Sequence, residues 1–135
     1  IAIFFWMSHL FRAYTLRRIL ITSFGLAALR FLIIAWCASS LGMLLLAQVL
    51  HAASFGSFPA AALGYVNQCF RGRHQARGQA IYTSLSFGLG GTLGGLYAGY
   101  AWERLGAGMT FTGAALCALA GMLILWFKLS APRAA

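Results

Sequence analysis

The sequence predicts an all-α integral membrane fold, with about four full transmembrane helices plus part of a fifth. Three observations carry this reading. Hydrophobic residues make up 61% of the chain and charged residues 8%, against about 25% charged in a soluble domain. The apolar residues fall in long continuous runs, without the alternation of a barrel strand. Most of the basic residues sit in short clusters between those runs. So few charges cannot cover a water-facing surface, and the bilayer is the apolar solvent that fits. Inside lipid every backbone N–H and C=O must be paired within the protein, which a continuous apolar run achieves as a helix.

Five apolar segments follow in order. Residues 1–11 make about half of a span of ~20 residues. Residues 19–37 make a full one. Residues 41–70 are longer than a straight span needs and contain Pro59, which removes one helical hydrogen bond and predicts a bent or tilted helix. Residues 79–102 and 109–129 complete the set. The chain opens at Ile1 directly on apolar sequence, with no charged stretch or cleavage site of a signal peptide before it. The expectation is a piece of a longer protein whose N-terminal half is missing.

The loops predict orientation. Arg12, Arg17 and Arg18 lie between the first two segments; Arg71, Arg73, His74 and Arg77 lie between the third and fourth; Lys128 and Arg133 follow the fifth. The other connections hold Ser39 and Ser40, or the mutually cancelling Glu103 and Arg104. Basic loops alternate with neutral ones, as the positive-inside rule requires, which puts the basic loops and the C-terminus in the cytoplasm. Trp36, Trp102 and Trp126 fall near span ends, the depth of interfacial anchors. The net charge of +9, with Glu103 the single acid, is therefore membrane topology, and no nucleic-acid partner is expected. Cys37, Cys69 and Cys117 are isolated, without metal-site spacing. They are expected to be packing residues, and no metal or cofactor is implied.

Within the spans, Arg30 is the most informative residue. It lies about 16 Å from the inner end of its helix at 1.5 Å per residue, near the middle of a ~30 Å hydrocarbon core. An Arg there costs at least about 2.5 kcal/mol and marks a functional site by default. His51 lies about 15 Å into the antiparallel next span, at matching depth, and histidine takes up and releases protons near neutral pH. Gln48 shares its helical face. Arg30, His51 and Gln48 are thus candidates for binding substrate and relaying a proton. Since no span holds an acid, a carboxylate partner for Arg30 is expected in the missing part. Gly90 and Gly94, Gly91 and Gly95, and Gly95 and Gly99 are each four apart, a smooth face for close helix packing. The same run is not a nucleotide-binding fingerprint, because Leu93 stands where the third glycine belongs. Ser84, Ser86 and Thr92 are expected to bond their own helix backbone. Ser54 and Ser57 lie near His51, but no acid orients a base and no nucleophile motif frames them, so an intramembrane enzyme is disfavoured. A non-transporting scaffold would not need charges at matched depth.

FRAYTLRRIL, then ALRFLIIAW with Arg30, then AQVLHAASFGSFPAAA with His51, then RGRHQARGQAIYTSLSFGLGGTLGGLYAGYAWERLG resemble, in that order, the C-terminal half of a major facilitator superfamily transporter from its eighth to its twelfth span. The nearest branch resembles phenylpropionate permease and the oligosaccharide–proton symporters. The resemblance implies an incomplete C-terminal six-helix bundle in the plasma (bacterial inner) membrane. It implies alternating-access transport of a small-molecule substrate such as a sugar or aromatic acid, with protons, the bilayer and the other half of the protein as partners. Arg30 and His51 match the Arg and His of that branch's coupling network. Its carboxylate, one turn after the His, is replaced here by Ser54, and Thr15 stands where the loop usually has glycine. An exporter or uniporter of the same fold without proton coupling is the alternative.

Overall fold

A computed structural model describes residues 13–128; the expected segment 1–11 and Arg133 lie outside them. The described chain is helical throughout. Helix α1 spans Leu16–Cys37 and α2 spans Leu41–Cys69. A single 3-10 turn at Gly72–His74 leads into α3, Gln75–Thr83. A π-helical stretch at Ser84–Leu89 joins it to α4, Gly90–Lys128.

Each boundary has a local cause. Thr15 is extended and its hydroxyl accepts from the Arg18 N–H at 3.4 Å, capping α1. The helix therefore starts three residues earlier than the apolar run, and Arg17 and Arg18 belong to its first turn rather than to a loop. Ser39 and Ser40 suffice to turn the chain into α2. That helix continues through Pro59 to Cys69, and the chain is released from it by Gly72 in the left-handed region, φ 61°.

Among the described residues, three helical runs are long and apolar enough to cross a membrane: Leu16–Cys37, Leu41–Cys69 and Gly72–Lys128. The expectation was about four full spans plus part of a fifth; the described residues hold three such runs, the last of them folded back on itself. The last run has 57 residues, about 85 Å at 1.5 Å per residue and far beyond one bilayer core. It does not cross as one rod. Gly106 is non-helical, φ 79° and ψ 173°, and the chain reverses there. Across the reversal the Tyr97 hydroxyl donates to the Thr110 carbonyl at 3.4 Å, and Trp102 meets Phe111 edge-on at 6.3 Å. The expected fourth and fifth segments are thus two arms of a helical hairpin that meet at the non-helical Gly106. The reversal falls inside the expected connection, residues 103–108; what the sequence did not show is that Glu103, Arg104 and Leu105, good helix formers, stay helical up to the glycine.

Helix α1 is the central element. Its partners all run antiparallel to it. Against α2, Leu16 lies at Gly64, Phe24 at Phe58 and Arg30 at His51. Against the second arm of α4, Ala35 lies at Gly108, Phe31 at Phe111, Phe24 at Gly121 and Arg17 at Trp126. Ile19, Leu20, Ala61 and Ala62 form the buried core, with Leu16, Phe58, Tyr82 and Leu125 against it. Asn67 accepts from Gln79 at 2.8 Å and Phe70 crowds Gly78, which holds α3 beside the end of α2. All the described basic residues except Arg30 and Arg104 consequently gather at one end. Trp36 and Trp102 stand at the other, each more than half exposed.

Large apolar side chains remain uncovered along every helix: Leu41 is 73% exposed, Leu96 67% and Phe127 79%. A soluble monomer does not expose such a surface, so lipid is the environment of these helices. The hairpin also yields a prediction. A side-chain carbon at Gly113 would collide with the Tyr97 hydroxyl. Gly113→Ala should therefore separate the arms and cost about 1–3 kcal/mol through overpacking, read by detergent-denaturation midpoint, whereas Gly113→Ala combined with Tyr97→Phe should recover only part of that loss, because the ring carbon Cζ at 2.8 Å still crowds the added methyl.

Candidate functional site

The site grows from one face of α1 and one face of α2. Ser23, Ala27 and Arg30 are spaced four and three apart on α1; His51, Ser54, Phe55 and Phe58 follow the same helical spacing on α2. Antiparallel packing brings these rows together around a cavity of about 150 Å³.

At its polar end Arg30 Nη1 lies 2.9 Å from His51 Nδ1. A guanidinium has no acceptor, so Arg30 donates and Nδ1 accepts, which places the imidazole proton on Nε2. The expected pair at matched depth is therefore in direct contact. Arg30 also covers the Phe31 ring at 4.4 Å, and its Nε is buried without a hydrogen-bond partner. Among the described residues it is the fully buried polar atom of the cavity wall without a partner, and a buried donor without a partner costs about 1–3 kcal/mol. Gln48 lies one turn before His51 but is exposed and does not line this cavity.

The walls were not legible as such in the sequence. Phe24 and Phe58 meet edge to face at 5.0 Å and close one end; Phe55 lies 5.2 Å from the His51 ring. Ser54 donates to the Leu50 carbonyl at 2.8 Å. Ser23 and Ser57 face each other across the interface at 2.8 Å, each also bonded to its own helix, at Ile19 and Ala53. These hydroxyls are satisfied. Ser23 and Ser57 tie α1 to α2, and no nucleophile–base pair forms among the described residues, since Ser54 and Ser57 donate to backbone carbonyls, that of His51 included, and not to the His51 ring. The i, i+3, i+4 spacing from Arg30 and His51 is the signal that picks these neighbours out.

The glycine face is separate. Gly91, Gly94, Gly95 and Gly99 have nothing within 4 Å of a side-chain position among the described residues, and Gly90 has only the Leu85 carbonyl. Gly90 N–H donates to that carbonyl, closing the π turn. The free cysteines are unpaired, and no group of metal-ligating side chains assembles among the described residues.

A family model described as MFS_1 like family matches residues 1–113. No curated protein and no solved structure matches the chain. The family match spans Arg30, His51 and the glycine-rich arm together, and it points to transport across a membrane rather than to enzymatic chemistry. With long apolar helices, lipid-exposed surfaces and this match over most of its length, the chain belongs to the MFS_1 like family of membrane transporters.

Proposed function

We propose that this chain forms the substrate- and proton-binding part of a secondary transporter, carrying a small organic anion together with a proton by alternating access. The observation that carries the proposal is the hydrogen bond from Arg30 to His51 Nδ1 at 2.9 Å. Protonated histidine has only donors. A proton arriving at Nδ1 therefore breaks this bond and sets two cations face to face. Two like charges 4 Å apart repel by roughly 4 kcal/mol at an effective dielectric of about 20. An anion placed between them removes the repulsion and accepts from both, the free Arg30 Nε included. Proton and anion thus favour each other's binding, which is the thermodynamic content of symport.

The walls suggest the rest of the substrate. Apart from Arg30, His51 and the satisfied serines, the cavity is bounded by Ala27, Phe24, Phe55 and Phe58. An apolar cavity of about 150 Å³ holds a single benzene ring. A sugar would need many acceptors for its hydroxyls, and no acid lies in any span. An aromatic carboxylate fits both ends, in keeping with the resemblance to the phenylpropionate permease branch. Gly90, Gly91, Gly94, Gly95 and Gly99 supply the face against which a helix of the other half packs, and substrate binds near the midplane between the two halves. The basic end faces the cytoplasm.

The test is uptake into vesicles holding this chain together with its remaining half, under an inward proton gradient, over a panel of sugars and aromatic acids. An aromatic acid is expected to accumulate and to fall back when the gradient is collapsed. Accumulation of neutral sugars alone would overturn the substrate assignment, and uptake indifferent to the gradient would favour the uniporter.

A further inference from the structure

A second cavity of about 350 Å³ lies on the other side of the Phe24–Phe58 pair, within the size range of ligand pockets. Its lining is almost wholly apolar, and it belongs to the half of the helices nearest the basic end. Four segments wall it, contributing Leu20 from α1, Val66 from α2, Tyr82 from α3 and Leu125 from α4. Each wall carries a cation within five residues toward the same end: Arg17, Arg71, Arg77 and Lys128 respectively. Three of these are exposed. Arg17 is half-buried, donates to the Trp126 carbonyl at 2.7 Å, lies over the Trp126 ring, and keeps a buried Nε without a partner. No acid offsets them, since the chain's single acid, Glu103, is in the hairpin arm near Gly106.

We propose that this is a binding site for an anionic phospholipid, one acyl chain in the apolar cavity and the phosphate among the basic residues at its mouth. The apolar depth selects a chain, and the cations that follow each wall toward the same end select the charge. A clustered set of basic groups beside a transmembrane pocket binds acidic headgroups by this complementarity. The site is independent of the transport reading: it shares only the Phe24–Phe58 partition with the Arg30–His51 cavity.

The test uses the full chain with Trp126 as its single tryptophan, Trp6, Trp36 and Trp102 being replaced by Phe. It is reconstituted in phosphatidylcholine–phosphatidylglycerol vesicles in which either lipid carries brominated acyl chains. Brominated phosphatidylglycerol is expected to quench Trp126 with at least threefold higher apparent affinity than brominated phosphatidylcholine. Arg71→Gln, Arg77→Gln and Lys128→Gln together should erase that preference without changing helicity. Ala62→Phe, which fills the cavity, should erase it with every charge in place. Equal quenching by the two lipids would overturn the proposal. A preference that survives Ala62→Phe would also overturn it, showing general surface attraction instead of a site. Failure of either lipid to quench Trp126 would do the same, showing that another part of the chain, such as residues 1–11, covers the cavity.

Discussion

Replacing Arg30 by Ala is expected to reduce uptake of an aromatic carboxylate about a hundredfold while leaving the helices at least as stable as before. Two consequences of one residue separate here. A charge-assisted hydrogen bond to an anion contributes about 1.5–3 kcal/mol, and each 1.4 kcal/mol is tenfold in affinity. An Arg near mid-bilayer, however, costs at least about 2.5 kcal/mol to place there, and its partner His51 contributes no compensating charge. Its removal should not weaken the α1–α2 pair, which the Ser23–Ser57 bond and the Phe24–Phe58 contact also hold. Arg30→Lys keeps the charge but loses the planar fork, so it should fall between the two, near tenfold. If Arg30 were a packing residue, Arg30→Ala would lower the denaturation midpoint and leave residual transport in proportion to folded protein. Initial uptake rates and detergent-denaturation midpoints on the same preparations distinguish the two.

The second large effect is expected at Gly106. Its φ of 79° and ψ of 173° lie in a backbone region used essentially by glycine alone, and holding another residue there costs about 1–3 kcal/mol. The turn has little else to absorb that cost. Among the described residues the contacts across the reversal are few: the long Tyr97–Thr110 hydrogen bond, the edge-on Trp102–Phe111 pair and Tyr97 against Gly113. Gly106→Ala should therefore open the hairpin, detected as loss of crosslinking between cysteines placed at positions 97 and 113. Gly91→Ala is the matched control. Gly91 is helical with open space around it, and the same change there should leave crosslinking unaltered.

Both predictions turn on residues whose meaning was unequally visible in the sequence. Arg30 and His51 were legible because hydropathy and rise per residue convert position into depth, and depth matched between two antiparallel helices. Their contact completes an inference that needed no knowledge of side-chain direction. The connection around Gly106 was legible, since one apolar run ends at Trp102 and the next begins at Met109. The part played by the glycine itself was not: it resembles the glycines around it, and only the reversal of the chain shows its use. Phe24, Phe55 and Phe58 were hidden for a different reason. In a chain that is mostly apolar, an aromatic residue facing a cavity and one facing lipid look alike until a polar reference point fixes the face. The π turn at Ser84–Leu89 likewise has no composition signal, because it differs from an α-helix by one residue of register. Gln48 shows the limit of spacing alone: it lies a turn from His51, but the side chains diverge and it faces outward.

The Arg30–His51 bond makes a demand that transport itself can report. The decisive measurement is the number of protons entering with each substrate molecule, recorded as alkalinisation of a weakly buffered medium by vesicles holding the complete transporter, for the native protein and for His51→Ala. One proton is expected with each aromatic carboxylate in the native protein. His51→Ala should still exchange substrate across the membrane but move no protons with it. Proton entry that persists at the native ratio after His51→Ala would contradict the account, since the proton would then travel by a route in which this pair has no part.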